Sequence, residues 1–177
     1  GMKCFFEEGR ALAKLSHPNV VRVLNFFRAN ETVYMVMEYE HGRTLQEFIQ
    51  RRKGLMSERY MRSIFTRMLN GLREVHSHKL LHLDIKPSNI MVERGADGAL
   101  RPFVMDFGIA RDWNESATAT GTVLGTPQYM APEQARGEIK QLDRRADVYG
   151  LGATLYALLT GKAPIDGDNP LVVLNRI

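Results

Sequence analysis

The sequence lacks the features that mark disulfide-bonded and membrane-spanning proteins. Cys4 is its only cysteine, so no disulfide can form within the chain, and a reducing cytoplasmic compartment is expected. The longest apolar run, residues 148–159, contains glycines and is shorter than the ~20 helical residues that span a bilayer. We therefore expect residues 148–159 to form a buried core helix, and no membrane-spanning segment in this chain.

The sequence also lacks a concentrated basic patch, although its net charge is +4 and its isoelectric point is near 9.3. The Lys and Arg residues are scattered. The densest run, residues 51–53, falls at a predicted helix end, where positive charge complements the helix dipole. Nucleic acid is therefore not an expected partner. The hydrophobic content of 44% is enough to bury one core, which excludes a disordered chain.

Helical and strand-like segments are predicted along the chain. A helix over residues 5–15 should be ended by the proline that follows, because the residue before proline disfavours helical geometry. Residues 20–27 and 32–39 are rich in β-branched and aromatic side chains, which predicts an antiparallel hairpin. A second hairpin is predicted from residues 89–93 and 100–105, around a glycine-containing turn.

Capping signals and periodicity predict the other helices. Thr44 begins a capping box, and Ser57 can cap a longer helix. A last helix should run from about Arg144 to Thr160, with Gly161 as its C-cap. In the longer helix, four apolar residues recur at helical spacing and should form its buried face: Ile64, Met68, Leu72 and Val75.

Two polar segments carry the chemistry. The first reads His82-Leu83-Asp84-Ile85-Lys86-Pro87-Ser88-Asn89, and the second, 17 residues after Asn89, reads Asp106-Phe107-Gly108. Such a set can move a phosphoryl group from a metal-bound nucleotide to a hydroxyl. Asp84 can orient the attacking hydroxyl and accept its proton, while Lys86 can neutralise charge on the phosphate. Asn89 and Asp106 can hold magnesium ions.

These segments resemble the catalytic loop and the metal-binding loop of eukaryotic-type Ser/Thr protein kinases, particularly bacterial members. The other motifs of the family follow in the family's order: Glu8 before His17-Pro18-Asn19, a hinge-like run at 34–39, the docking-loop and Ala-Pro-Glu run at 125–133, and the buried-helix start at 147–152. One departure is that the usual His-Arg-Asp reads His-Leu-Asp. Lys86 is the Ser/Thr-specific residue in the resemblance, and Thr126 is the docking-loop threonine that contacts the base and that lysine.

The resemblance implies an α+β, protein-kinase-like two-lobe fold. Residues 1–40 would be a partial N-lobe, with the family's helix C and its fourth and fifth strands. Residues 41–177 would be a partial C-lobe, from the end of the hinge through the catalytic loop and activation segment to the buried helix. No G-x-G-x-x-G loop or Val-Ala-Ile-Lys strand occurs. We therefore expect a kinase fragment cut at both ends and, taken alone, with little or no activity.

ATP and Mg²⁺ are the cofactors that the resemblance implies. Glu8 would pair with the strand lysine of the family, with Glu7 as the competing position. In the expected nucleotide pocket, Met37 would be the gatekeeper, and backbone groups of Glu38 and Glu40 would bond to adenine at the hinge. Met91 and Met105 would form the pocket floor. The alternative is that these methionines are ordinary core residues. His82 would stack on Phe107, Leu12 and Val23, with Asp147 as anchor.

Protein substrates with Ser or Thr acceptors are the implied partners, and Thr118 or Thr120 would be a site of self-phosphorylation. Leu83 cannot make the charged pair with a phosphorylated loop that arginine makes in the family. Bacterial members can carry a membrane anchor outside the catalytic domain, so an anchor elsewhere stays open. The alternatives are a pseudokinase or docking module and, ranked last, a small-molecule phosphotransferase of the aminoglycoside type.

Overall fold

The computed structural model describes residues 11–30, 32–51, 56–107 and 126–177. Within them the chain forms five strands and five α-helices. The strands are β1 (Val23–Ala29), β2 (Thr32–Met37), β3 (Arg43–Thr44), β4 (Ile90–Arg94) and β5 (Leu100–Val104). The helices are α1 (Leu45–Arg51), α2 (Glu58–Ser77), α3 (Pro132–Ala135), α4 (Arg144–Thr160) and α5 (Pro170–Leu174). Short 3-10 turns lie at Pro87–Asn89, Pro127–Tyr129 and Ile139–Gln141.

Strands β1 and β2 pair in antiparallel fashion, which confirms the first predicted hairpin. The predicted start at Val20 is wrong, because the backbone there bonds to β5 instead. The Val21 N–H donates to the Val104 carbonyl at 2.9 Å, and the Val104 N–H donates to the Asn19 carbonyl at 2.9 Å. The buried Asn19 side chain adds a bond of 2.9 Å to the Pro102 carbonyl. The segment before β1 is thereby fastened to the second hairpin.

Strands β3, β4 and β5 form an antiparallel sheet in that order, and the β4–β5 pair is the second predicted hairpin. Gly42 lies just before β3, where a Cβ atom would sit 2.6 Å from the Val92 carbonyl oxygen. A side chain at this position would therefore collide with the backbone of β4. Glycine allows the chain that leaves β2 to pass close to the sheet beside the catalytic loop.

Helix α2 contributes more buried side chains to the main core than any other single element. Its predicted apolar face is buried at all four positions: Ile64, Met68, Leu72 and Val75. Met61, one turn earlier, is buried as well. The Thr44 capping box is also confirmed, since its hydroxyl accepts the Glu47 N–H at 3.2 Å. Ser57 occupies the N-cap of α2, but its side chain makes no capping hydrogen bond. In the described parts of the chain, no helix has the length and apolar character required to cross a membrane.

Helix α4 is capped at both ends, and the sequence predicted only the Gly161 C-cap. The Asp143 side chain accepts the Arg145 N–H at 2.8 Å, and Gly161 ends the helix with a φ of 74°. Two residues one turn apart, Asp147 and Gly150, are buried towards the catalytic loop. A Cβ atom on Gly150 would lie 2.9 Å from the carbonyl oxygen of Ile85, so only glycine lets the loop approach this closely.

The contact at Gly150 predicts that Gly150→Ala destabilises the full-length protein by about 1–3 kcal/mol, because the added methyl overlaps backbone that cannot move aside. The matched control is Gly152→Ala on the same helix, where glycine is exposed and a Cβ meets nothing within 4 Å. Alanine there should stabilise by up to about 1 kcal/mol through helix propensity. Thermal unfolding measures both. If Gly150→Ala unfolds no earlier than Gly152→Ala, the close approach is wrong.

Candidate active site

The catalytic loop, residues 82–89, rests on the carboxylate of Asp147. This side chain is 0% exposed and lies in the first turn of α4. Its Oδ2 accepts the His82 N–H at 2.9 Å and the His76 Nε2–H at 2.7 Å, and its Oδ1 accepts the Leu83 N–H at 2.7 Å. A single buried group thus holds two consecutive peptide units of the loop and the end of α2.

Asp147 stays ionised in spite of its burial. Burial alone raises the pKa of this carboxyl, but hydrogen bonds from His76, His82 and Leu83 hold the pKa below its usual range. A carboxylate can only accept hydrogen bonds, so His76 must carry its proton on Nε2. Losing any one donor would leave part of a buried charge without a partner, which is costly.

Leu83 has a backbone conformation that side chains rarely adopt. Its φ is 60°, in the left-handed region, which costs an L-residue roughly 1–2 kcal/mol. The residue is held there from both sides: Asp147 accepts its N–H, and the Gln134 amide donates to its carbonyl oxygen at 2.9 Å. The direction in which the next residue, Asp84, leaves the loop depends on this bend.

The structure confirms that His82 is a packed residue and not an exposed base. It is 0% exposed, and its ring centroid lies 4.5 Å from that of Phe107. Its Nδ1 accepts the Asp84 N–H at 3.1 Å, so the proton resides on Nε2, which donates to the Met105 carbonyl at 3.0 Å. Burial lowers the pKa of His82, and the neutral ring satisfies both partners.

The residues predicted to complete the stack are buried, which plain core packing of Leu12 and Val23 predicts equally well. Leu12, Val23 and Phe107 are buried in one apolar cluster with Leu15, Val20, Val75 and Leu80, and Met35 and Met37 pack on its edge. This cluster joins the segment before β1 to the loop that follows β5. Residues 11–13 are helical, which is the last part of the predicted 5–15 helix.

Four of the predicted site residues lie together. The Asn89 Nδ2 donates to the Asp84 carbonyl and to its Oδ2, each at 2.9 Å. The Lys86 Nζ lies 3.4 Å from the same Oδ2 and 3.3 Å from the Thr126 hydroxyl. The Asp84 and Lys86 side chains are 15% and 14% exposed, so both are partly shielded while still open to a substrate.

Asp106 lies two residues after β5, in a segment whose backbone is hydrogen-bonded to the catalytic loop. The N–H of the preceding residue, Met105, donates to the Asn89 carbonyl at 3.0 Å. Asp106 itself has a φ of 57°, so a second left-handed residue turns the chain at the site. Within the described ranges, no group of three or more His, Cys, Asp or Glu residues is arranged to hold a metal ion. Magnesium does not require one, since it is held by one or two protein oxygens, water and phosphate.

The predicted nucleotide residues fall on strands β2 and β4 and on the segments that follow β2 and β5. Met37 ends β2, Met91 is in β4, and both side chains are half-buried, as is Met105. The Glu38 N–H donates to the Arg22 carbonyl at 2.9 Å. The pKa of Glu40 is raised, first by burial and then by the charges of Glu38 and Glu93. Glu8, Thr118 and Thr120 lie outside the described residues.

Comparison with known proteins agrees with this geometry. Residues 2–175 match the protein kinase domain family. The chain belongs to that family. It is 40% identical over 171 residues to the serine/threonine-protein kinase pkn3 of Myxococcus xanthus, a match that covers 93% of this chain and 31% of that protein. It is 41% identical over 176 residues to the serine/threonine-protein kinase PknB of Mycolicibacterium smegmatis, covering 96% of this chain and 27% of that protein.

Solved kinase structures share the fold. The kinase domain of Mycobacterium tuberculosis PknI superposes with a TM-score of 0.75 at 26% identity, covering 93% of this chain and 59% of that one. A structure of Rad53 in complex with AMP-PNP gives 0.73 at 31% identity, covering 97% of this chain and 41% of that one. The protein kinase fold is thus established here, and the chain spans about a third or less of the two curated relatives.

Two residues of this site have no counterpart among the sequence-based predictions. His76, near the end of α2, was not predicted as a site residue, although it donates to Asp147. Gln134 directly follows the Ala-Pro-Glu run, and its only sequence signal is a position three residues after Ala131, which suits the end of a capping box. Neither contact with the catalytic loop is local in sequence, so no periodicity reveals it.

The burial of His82 predicts a pH dependence of stability. The folded state keeps this ring neutral, whereas in the unfolded state it takes up a proton below a pKa of ~6.5. The unfolded state then binds more protons, so the free energy of unfolding falls as the pH drops below ~6.5, by up to about 1.4 kcal/mol per pH unit.

Urea unfolding of the full-length protein between about pH 7.5 and 5.5 checks this, because the Asp147 carboxyl titrates below that window. In His82→Gln, the free energy of unfolding should fall less steeply with decreasing pH, by up to this amount per pH unit. His41→Gln removes an exposed imidazole and is the control, which should keep the wild-type slope. Equal slopes in the wild type and His82→Gln would contradict the neutral, buried ring.

Proposed function

We propose that the full-length protein transfers the γ-phosphoryl group of ATP to Ser or Thr hydroxyls of proteins, with Mg²⁺ as cofactor. The observation that carries the proposal is the position of Lys86, whose Nζ lies between the Asp84 carboxylate at 3.4 Å and the Thr126 hydroxyl at 3.3 Å. The docking segment is taken as residues 125–134, the docking-loop and Ala-Pro-Glu run together with Gln134. A base, a phosphate-neutralising cation and the Thr126 hydroxyl of this segment are then within reach of one acceptor. This is the set that phosphoryl transfer to an alcohol requires.

Asp84 would orient the acceptor hydroxyl and take its proton. Asn89 positions this carboxylate, because its amide donates both to the Asp84 side chain and to the Asp84 backbone. Lys86 would neutralise charge on the transferring group, and Thr126 would hold Lys86 on the acceptor side. Since the transition state gains charge on its oxygens and needs little covalent help, positioning and charge neutralisation would supply most of the catalysis.

Asn89 and Asp106 would hold magnesium. Their side chains offer amide and carboxylate oxygens, the hard ligands that this ion prefers. When bound, the metal would supply positive charge that offsets the negative charge of the phosphate oxygens. The hydrogen bond from the Met105 N–H to the Asn89 carbonyl keeps the two segments that carry these ligands side by side. Glu8, by resemblance, would pair with a lysine that positions the phosphates.

The nucleotide base would lie at the hinge, the segment after β2. Backbone groups of Glu38 and Glu40 would bond to adenine, with Met37 at the back and the half-buried Met91 and Met105 below. The pKa of Glu40 is raised first by burial and then by the neighbouring carboxylates of Glu38 and Glu93, so an uncharged ring suits this place better than a phosphate does.

The pseudokinase alternative is not favoured over catalysis. A fold kept only for docking has no need for Lys86 and Asn89 to converge on Asp84, yet they do so at hydrogen-bonding and ion-pair distances. Leu83 still bears on regulation, because it cannot form a charged pair with a phosphorylated loop. Self-phosphorylation at Thr118 or Thr120 stays a prediction from the resemblance.

The decisive variants are Asp84→Asn and Asp106→Ala, assayed as phosphate incorporation into a generic protein substrate by the full-length protein. Asp84→Asn keeps the shape and removes the base, so kcat should fall by about 10²–10⁴-fold. Asp106→Ala should abolish the magnesium-dependent step, because it removes the carboxylate ligand. Both changes affect polar, cleft-facing groups and should leave the fold intact.

The matched control is Asp97→Asn, the same chemical change at an exposed turn between β4 and β5. It should keep wild-type kcat, because Asn can still accept the Ala99 N–H that Asp97 accepts at 3.1 Å. If Asp84→Asn matches Asp97→Asn in kcat while remaining folded, Asp84 is not the base, and the pseudokinase alternative gains support when the wild type is also inactive.

A further inference from the structure

Gln134 connects the docking segment to the catalytic loop through a buried amide. The residue lies in α3 and is 6% exposed. Its Nε2 donates to the Leu83 carbonyl at 2.9 Å, and its Oε1 accepts the Ala131 N–H at 3.2 Å. The amide orientation is unambiguous, because a backbone carbonyl can only accept and a backbone N–H can only donate.

Leu83 is the residue that needs such a contact. Its left-handed φ of 60° is unfavourable for leucine, whereas glycine adopts it readily. The Asp147 carboxylate fixes its N–H and the Gln134 amide fixes its C=O, so both torsions of this residue are pinned by contacts from distant parts of the chain. Asp84 follows immediately, and its carboxylate can meet Asn89 and Lys86 only if Leu83 keeps this bend.

We propose that Gln134 is a positioning residue for phosphoryl transfer: it keeps Leu83 in the left-handed conformation and thereby aims the Asp84 carboxylate. The effect of Gln134 on kcat rests on the proposed function, whereas its effect on the conformation of Leu83 does not. Gln134 belongs to the same segment as Thr126, so the arrangement makes the catalytic loop sensitive to whether the docking segment is in place. This coupling of the two segments uses a neutral amide and needs no charged residue at position 83.

The alternative is that Gln134 has a purely structural role as a cap of α3. The hydrogen bond to Ala131 is a capping contact and explains that half of the amide. Gln134→Glu separates the two roles, since a carboxylate still accepts the Ala131 N–H but cannot donate to the Leu83 carbonyl. A capping role is thus preserved, and the contact with the catalytic loop is lost.

The test is steady-state kinetics of the full-length protein. Gln134→Glu should lower kcat by about 10–100-fold, the cost of a misplaced catalytic group, with a smaller change in KM for ATP. Gln141→Glu makes the same chemical change at an exposed glutamine of a nearby 3-10 turn and should keep wild-type kcat. In the Leu83→Gly background, where left-handed geometry needs no support, adding Gln134→Glu should lower kcat by less than about threefold.

Equal kcat losses in both backgrounds, or a kcat for Gln134→Glu within about twofold of Gln141→Glu, would overturn the inference. Thermal unfolding of the same four variants gives a second readout that needs no activity: Gln134→Glu should lower Tm less in the Leu83→Gly background. If the wild type proves inactive, the proposed function fails, and the Tm comparison alone decides the inference. If Gln134→Glu does not fold, Gln134→Met, uncharged and of similar volume, replaces it with the same expected coupling.

Discussion

The buried carboxylate of Asp147 fixes the geometry on which the rest of the site depends. It receives hydrogen bonds from the His76 ring and from the N–H groups of His82 and Leu83, and these keep its pKa low in spite of burial. An unpaired charge in this place would cost several kcal/mol, so the three donors and the carboxylate hold one another in position. The catalytic loop therefore takes its shape from α4, a rigid helix.

The two residues that Asp147 holds make contacts on opposite sides of the loop. The His82 ring packs on Phe107, which belongs to the apolar cluster that contains Leu12 and Val23. The Leu83 carbonyl accepts a hydrogen bond from Gln134 of the docking segment. Asp84, the proposed base, directly follows His82 and Leu83, so its orientation depends on the contacts of both residues.

Sequence predicted the parts of this arrangement that are local or periodic. The buried face of α2, the Thr44 capping box and the hairpin of β4 and β5 follow from spacing and turn chemistry, and they are confirmed. The grouping of Asp84, Lys86, Asn89 and Thr126 was predicted from the family resemblance; the structure brings these residues together, and their roles stay proposals. The bond from Val21 to β5 and the contacts of His76 and Gln134 join residues far apart in sequence, which no local pattern encodes.

The most direct measurement is kcat of Asp147→Asn in the full-length protein. An asparagine side chain offers one acceptor oxygen and places an N–H₂ group against a donor, so it cannot receive all three hydrogen bonds. With the loop released, kcat should fall by at least about a hundredfold in protein that still shows a cooperative unfolding transition. A folded Asp147→Asn protein with kcat within about threefold of the wild type would contradict the claim that this carboxylate shapes the catalytic loop.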